Sequence, residues 1–307
     1  MIFKEQTNRV AWRSIPITKE MVWASYKKVK SNGGSAGIDH QSLSEFDKVR
    51  SKELYKIWNR LASGSYFSPV IKRVTIPKAG GKTRPLGIPT VSDRIAQQVV
   101  KMYLEPRLDA VFVENSYGYR PNKSAHSAIH KVQEYVRKYS WVIDLDIEEF
   151  FENVNHELLM KALERHVHEP WVLMYIKRWL EAPVQLEDGT IKLSNGKGTP
   201  QGGVISPLLA NLYMHYCVDR WLEKYHPSSI MIRYADDLII HCRSHTEATG
   251  ILTSLKERLE ECGLRAHPEK TKIVYCKKEG RNLKGYPVQF DFLGFSRVGG
   301  PISADQE

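Results

Sequence analysis

The chain has 307 residues, with 45 Lys and Arg against 35 Asp and Glu, giving a formal charge of +10 and a pI near 9.3. At 42% hydrophobic and 26% charged it can bury a core across two or three lobes, which excludes a peptide-like or disordered chain, and its positive excess favours polyanions such as nucleic acid. Four scattered cysteines without a CxxC pair exclude a disulfide framework or cysteine zinc site, and no run approaches the roughly 20 apolar residues of a membrane span, so a reducing cytoplasm without membrane contact is expected.

The opening "MIFKEQTNRVAWRS" has no apolar signal core. "SNGGSAGIDHQSL" (Ser31 to Leu43) reads as a glycine-rich loop that could reach a template or a second protomer; "LYKIWNRLASG" follows with helical spacing. "VIKRVTIPKAGGKTRPLGIPT" (Val70 to Thr90) predicts a hairpin turning at Gly80-Gly81. "SDRIAQQVVKMYLEPRLDAVF" predicts a helix capped by Ser92 and running to about Pro106. "WVIDLDIEEFF" is an apolar strand running into carboxylates, and "NHELLMKALERHV" and "PWVLMYIKRWLEA" are amphipathic helices. "GTPQGGVISPLLANLYMHYCVDRWLEKY" is a tight turn into a long helix beginning at Ser206-Pro207. "IRYADDLIIHC" (232–242) sets Asp236 and Asp237 between two strand-like runs. A helix through "HTEATGILTSLKERLEECGL" closes at Gly263, and "VQFDFLGFSRV" is strand-like again. Strands and helices mix without regular βαβ alternation, so an α+β fold with an antiparallel sheet backed by helices is expected.

Asp144 and Asp146 end one strand; Asp236 and Asp237 sit at the tip of another. If the strands are neighbours, three or four carboxylates converge, a repulsion that water or lysines relieve but a pair of divalent cations relieves best. Mg²⁺ prefers hard oxygen ligands, and two such ions about 4 Å apart clamp the attacking and leaving oxygens of a phosphoryl displacement. The plainer alternative is solvent-facing turn aspartates.

At these residues the chain resembles reverse transcriptases of the group II intron-encoded (maturase) family. "YADD" (Tyr234 to Asp237) resembles their catalytic hairpin and "VIDLDIEEFFENVNH" their first catalytic strand. "GTPQGGVISPLLANLYM", "SYGYRPNKSAHSAI", "RPLGIPTVSDRIAQQ", "LRAHPEKTKIV" and the loop "SNGGSAGID" are similar to further blocks of the lineage, covering roughly residues 30 to 295. The resemblance implies a right-hand polymerase fold: mixed α/β fingers over 1–138 with a contribution from about 165–198, a palm over 139–164 and 199–296, and the start of a thumb at 297–307. With the helical thumb otherwise missing, low processivity is expected. The implied activity is RNA-directed DNA synthesis, in intron mobility and with RNA binding for splicing. Two Mg²⁺ ions would be held by Asp146, Asp236, Asp237 and the carbonyl of Ile147, with Asp144 a lesser candidate.

Carried over residue by residue, Lys78, Arg84, Phe151, Gln201, Gly202 and Gly203 would bind the dNTP, Phe151 as the bulky gate that excludes a 2′-OH. Phe150 is its rival, since adjacent strand residues face opposite ways. Lys72, Arg73 and Lys82 crowd the same hairpin and read as a solvated basic face. Glycines 202 and 203 would let the backbone approach the nascent base pair, or merely turn the chain into the helix. Lys270 would be the general acid for the leaving group, with Lys272 as rival. Arg120, Phe292, Leu293 and Gly294 would hold primer and template, although core packing suits the aromatics equally. Glu148 and Glu149, where many relatives carry a lysine, add solvent-side negative charge. The implied partners are a group II intron RNA template, a DNA or RNA primer, dNTPs and, as an open case, a second protomer in a bacterial cytoplasm. Alternatives are a domesticated or CRISPR-associated enzyme of the same lineage, a noncatalytic intron-RNA anchor and a palm-fold nucleotide cyclase; retron and diversity-generating enzymes share only the YADD hairpin.

Overall fold

The computed structural model describes residues 15–77, 83–276 and 285–298. Its first two helices begin on side-chain caps that satisfy free N–H groups of a first turn. Thr18 accepts from Met21 to start α1 (Lys19–Asn32), and a full Ser42–Glu45 capping box starts α2 (Leu43–Lys48). In α3 (Arg50–Ala62), Leu54, Ile57 and Leu61 recur at helical spacing and are buried. The hairpin follows as β1 (Ile71–Pro77) and β2 (Thr83–Ile88), with its Gly80-Gly81 turn outside the described residues.

Helix α4 (Val91–Asp109) is capped by Thr90, not Ser92, and passes through Pro106 to Asp109. Leu104 and Leu108, both buried, hold the turn whose hydrogen bond proline cannot make. Then come α5 (Ala125–Lys138), β3 (Trp141–Leu145), the single turn α6 (Phe150–Asn153), α7 (His156–Glu164), α8 (Pro170–Leu180), β4 (Val184–Gln185) and β5 (Ile191–Lys192). The helix expected from Ser206-Pro207 is α9 (Ser206–Met214), but it is interrupted by a π-turn (His215–Asp219) before α10 (Arg220–Tyr225). After β6 (Ile230–Tyr234) and β7 (Asp237–Cys242), α11 (His245–Glu261) ends at Cys262, with Gly263 next in the left-handed region at φ 70°. β8 (Lys272–Tyr275), β9 (Gln289–Phe292) and β10 (Phe295–Val298) complete the described chain.

One four-stranded sheet has the order β2-β1-β4-β5, so residues 184–192 join the early hairpin. The second, β6-β7-β3-β8, is antiparallel throughout and is buried on both faces. Trp141, Ile143 and Leu145 of β3 pack into the large core with the helices, whereas Val142 faces a smaller cluster holding Val132 of α5 and Phe290 and Phe292 of β9. Strand parity therefore puts Asp144 and Asp146 on the face toward α5 and β9, and Ile239 and Asp237 of β7 lie on that same face.

Candidate active site

The antiparallel pairing of β3 with β7 sets Leu145 opposite Leu238, so Asp146, one residue beyond, leaves the sheet beside the Asp236-Asp237 turn. All the candidate catalytic aspartates thus gather at one end of one sheet. Asp146 is followed by a bridge in which its carbonyl accepts from His267 (2.8 Å) and Glu148 donates to the Arg265 carbonyl (2.9 Å). That bridge leaves the carbonyl of Ile147 out of its bonds. Lys270 donates to the Asp146 carboxylate, and Lys272 stands 3.8 Å from Asp144.

Among the described residues, no three His, Cys, Asp or Glu side chains are drawn close enough to hold a metal ion. The donors are nonetheless hard oxygens, and the ammonium of Lys270 stands where a cation's charge is needed. Burial and crowding together have an electrical consequence. Burial first, then Asp237, Asp291 and Asp146, push the Asp144 carboxyl up to about 7 against the pull of Lys272.

The turn itself is built from below. Arg233, fully buried, donates from Nη1 to the carbonyl of Ala235 (2.9 Å), the residue before Asp236. Its fork closes on Asp219 at 2.8 and 2.6 Å, and Nη1 also reaches Asn211 Oδ1 at 2.9 Å. Asp219 ends the π-turn, whose extra residue places it toward β6. The side is built by the 116–120 loop: Tyr117 donates to the Arg233 carbonyl (2.8 Å) and Asn211 to that of Gly118 (2.7 Å). Neither Arg233 nor Gly118 was singled out from the sequence; an arginine inside an apolar strand was the available signal.

Arg84 on β2 meets Gln201 in the central block, Nε to Oε1 at 2.6 Å, so two of the expected nucleotide-binding residues come together; Lys78 and Lys82 lie outside the described residues. Arg73 faces Glu152 at 3.7 Å. The close neighbours of the two glycines suit the second of the two readings, a turn into the helix. A Cβ on Gly202 (φ 103°) would lie 2.3 Å from the Gly87 carbonyl, and one on Gly203 2.5 Å from Ser206 Oγ, so the close neighbours are strand β2 and the helix start.

Phe150 and Phe151 are both buried and sit on the turn of α6, so strand alternation does not separate them. Phe151 lines a cleft of about 360 Å³ together with Arg73, Gly87, Lys197, Thr199 and Gln201, and Phe150 does not.

One expected primer contact is corrected, and a second takes the core-packing alternative given for it. Arg120 is inward: Nε donates to Asp109 Oδ1 (2.6 Å), Nη1 to the carbonyls of Val113 and Ser116 (2.7 and 2.9 Å), and Nη2 to that of Asp109 (3.1 Å). With those donors spent, it anchors its loop instead of gripping nucleic acid. The ring of Phe292 is 2% exposed and belongs to the smaller core. Beyond it, Leu293 (φ 54°) and exposed Gly294 (φ 81°) form the two-residue turn between β9 and β10.

A sequence family described as "Reverse transcriptase (RNA-dependent DNA polymerase)" matches residues 76–296. Protein YkfC of Escherichia coli is 31% identical over 282 residues, covering 78% of this chain and 72% of its own. The group II intron-encoded protein LtrA of Lactococcus lactis is 32% identical over 199 residues, 64% of this chain and 32% of its own; the putative COX1/OXI3 intron 1 protein of Saccharomyces cerevisiae is 32% identical over 212 residues, 69% and 25%. The chain thus spans a third or less of those two intron-encoded relatives. Among solved structures, telomerase from Candida albicans superposes with a TM-score of 0.57 at 14% identity, over 84% of this chain and 49% of that one, a likeness of right-hand fold alone. No helix among the described residues is long and apolar enough to cross a membrane.

Proposed function

The chain belongs to the reverse transcriptase family, in the branch of the group II intron-encoded proteins, and on that premise we propose that it adds dNTPs to the 3′ end of a primer on an RNA template at the Asp146–Asp236–Asp237 end of the central sheet. The β3–β7 pairing carries this reading, because it joins residues 90 positions apart into one acidic edge. Members of the family use divalent metal ions. Here Asp146, Asp236, Asp237 and the Ile147 carbonyl would hold two Mg²⁺, which when bound supply Lewis-acid stabilisation to the attacking and leaving oxygens.

The chain's own residues then have distinct tasks. Arg84 offers a planar fork to the triphosphate, held in place by Gln201, with Lys78 as a second cation. Phe151 fills the wall of the cleft against a 2′-OH. Lys270 gives a proton to the departing diphosphate, and the Leu293–Gly294 turn approaches the primer through its backbone. Fingers over 1–138 and about 165–198, and a palm over 139–164 and 199–296, are the corresponding lobes. Group II intron RNA, the primer, dNTPs and a second protomer are the partners of this reading, in a bacterial cytoplasm. A noncatalytic RNA anchor would have no use for Asp144, Asp146, Asp236 and Asp237 gathered at one end of a sheet, where burial first and then the neighbouring carboxylates raise the Asp144 carboxyl.

The test is primer extension on an RNA template with dNTPs and Mg²⁺, wild type against Asp236→Asn. Extension by wild type alone, with equal RNA binding by both, is expected. Extension by the variant at the wild-type rate would remove Asp236 from the chemistry.

A further inference from the structure

The 116–120 loop is held against the acidic turn with unusual completeness. On its near side, Ser116 bridges Arg233, Tyr117 donates to the Arg233 carbonyl, and Arg233 donates to that of Asn115 (3.0 Å). In its middle, Asn211 holds the Gly118 carbonyl, and Gly118 lies so close to the hairpin that a Cβ would stand 2.4 Å from Ala235 N. On its far side, Arg120 is fixed by its four bonds and lies over the Phe112 ring at 5.4 Å.

Between these anchors stands Tyr119. Its φ of 56° is the left-handed region, where a bulky aromatic is an outlier that costs stability. The residue is 47% exposed, so burial offsets the strain only in part. The ring lies 6.2 Å from that of Tyr234, in the electrostatic neighbourhood of Asp236, Asp237 and Arg84. A fold would gain by placing glycine or asparagine here; what tyrosine adds is a flat apolar face at the acidic turn.

Resting on the polymerase reading above, we propose that Tyr119 is a substrate-contact residue whose ring, with that of Tyr234, packs against the sugar and base of a nucleotide at the reaction centre. Aromatic faces stack on any base without reading its edges, as a template-directed site requires. The nucleotide is either the growing 3′ end or the incoming dNTP, and kinetics separate the two.

The experiment compares wild type with Tyr119→Asn, Tyr119→Gly and Tyr119→Phe. It measures the melting temperature, primer–template affinity by fluorescence anisotropy, and kcat and KM for dNTP in single-nucleotide extension. Asn and Gly tolerate a positive φ, so both variants should melt at or above the wild-type temperature. Yet both should lose about tenfold in kcat/KM or in primer–template affinity, the scale of one stacked base. Tyr119→Phe should stay within about threefold. A raised dNTP KM with unchanged duplex affinity assigns the ring to the incoming nucleotide; weakened duplex affinity assigns it to the growing end. Wild-type kinetics and affinity in Tyr119→Asn and Tyr119→Gly, or an activity loss that only follows a fall in melting temperature, would overturn the proposal. So would an equal loss in Tyr119→Phe. A wild type that fails to extend would instead remove the polymerase reading beneath it.

Discussion

Gly118→Ala tests whether the acidic turn is set by the loop beside it. The added Cβ would stand 2.4 Å from Ala235 N, 3.0 Å from Tyr234 C and 3.2 Å from Ala235 Cα, where ordinary contact begins near 3.4 Å. Loop and turn must therefore part by about 1 Å. The loop cannot retreat freely, because Asn211 holds the Gly118 carbonyl and Tyr117 holds Arg233. Much of the displacement falls on Ala235, one residue before Asp236. Forcing a methyl into such a site costs about 1–3 kcal/mol of stability. A 1 Å misplacement of reacting groups costs on the order of 10²-fold in rate, equivalent to about 2.7 kcal/mol of barrier. The assay is single-turnover addition of one dNTP to a primer on RNA, beside a urea midpoint. Gly250→Ala is the control, since nothing lies within 4 Å of that helical position and the change should stabilise by about 0.5–1 kcal/mol. Extension by Gly118→Ala within threefold of wild type, or a rate loss equal to the unfolded fraction, would refute the reasoning.

Asp219→Ala leaves Arg233 buried with no countercharge and should cost about 3–5 kcal/mol, read as a lowered denaturant midpoint; a change below 1 kcal/mol would mean that water reaches the pair. The same carboxyl gives a pH signature. Burial raises its pKa, but Arg233 and His215 more than reverse this, so the net shift is downward. Its stabilisation is thus present above the ordinary value of about 3.9 and lost as pH falls through the lower folded value, and Asp219→Asn should flatten that acid limb of a stability–pH curve. Phe151→Ala should raise ribonucleotide incorporation more than Phe150→Ala does, measured as the rNTP-to-dNTP ratio of kcat/KM; the reverse order would move the gate to Phe150.

What the sequence disclosed depended on how far apart the cooperating residues lie. The β1–β2 hairpin, β3 running into Asp146 and the β6–β7 hairpin are local patterns of alternation and turn residues, and each stands where the pattern placed it. The cap of α4 was off by two positions because Thr90 and Ser92 offer the same chemistry and only the backbone decides. Arg120 was carried over from the resemblance as a nucleic-acid contact, and the sequence of its segment carries no sign of where its carbonyl partners will be. Phe292 and Gly202 each stayed open between two readings for the same reason: an aromatic and a glycine advertise contact without naming the partner, which is the core in one case and Gly87 in the other. Gly118 against Ala235, and Arg233 upon Asp219, join segments that only the tertiary fold brings together.

The π-turn at His215–Asp219 also bears on how this chain tolerates insertion and deletion. A single deletion there would let α9 and α10 run as one regular helix, and each residue of an α-helix carries about 100° of rotation. Because the π-turn takes up its extra residue locally, that deletion keeps Leu222 in phase with the core, whereas a deletion in the regular turns of α9 would swing everything after it by that angle and carry Asp219 away from Arg233. A length change of one in the regular turns is therefore a change of phase at the reaction centre, and the π-turn is the place where one residue can be lost without it.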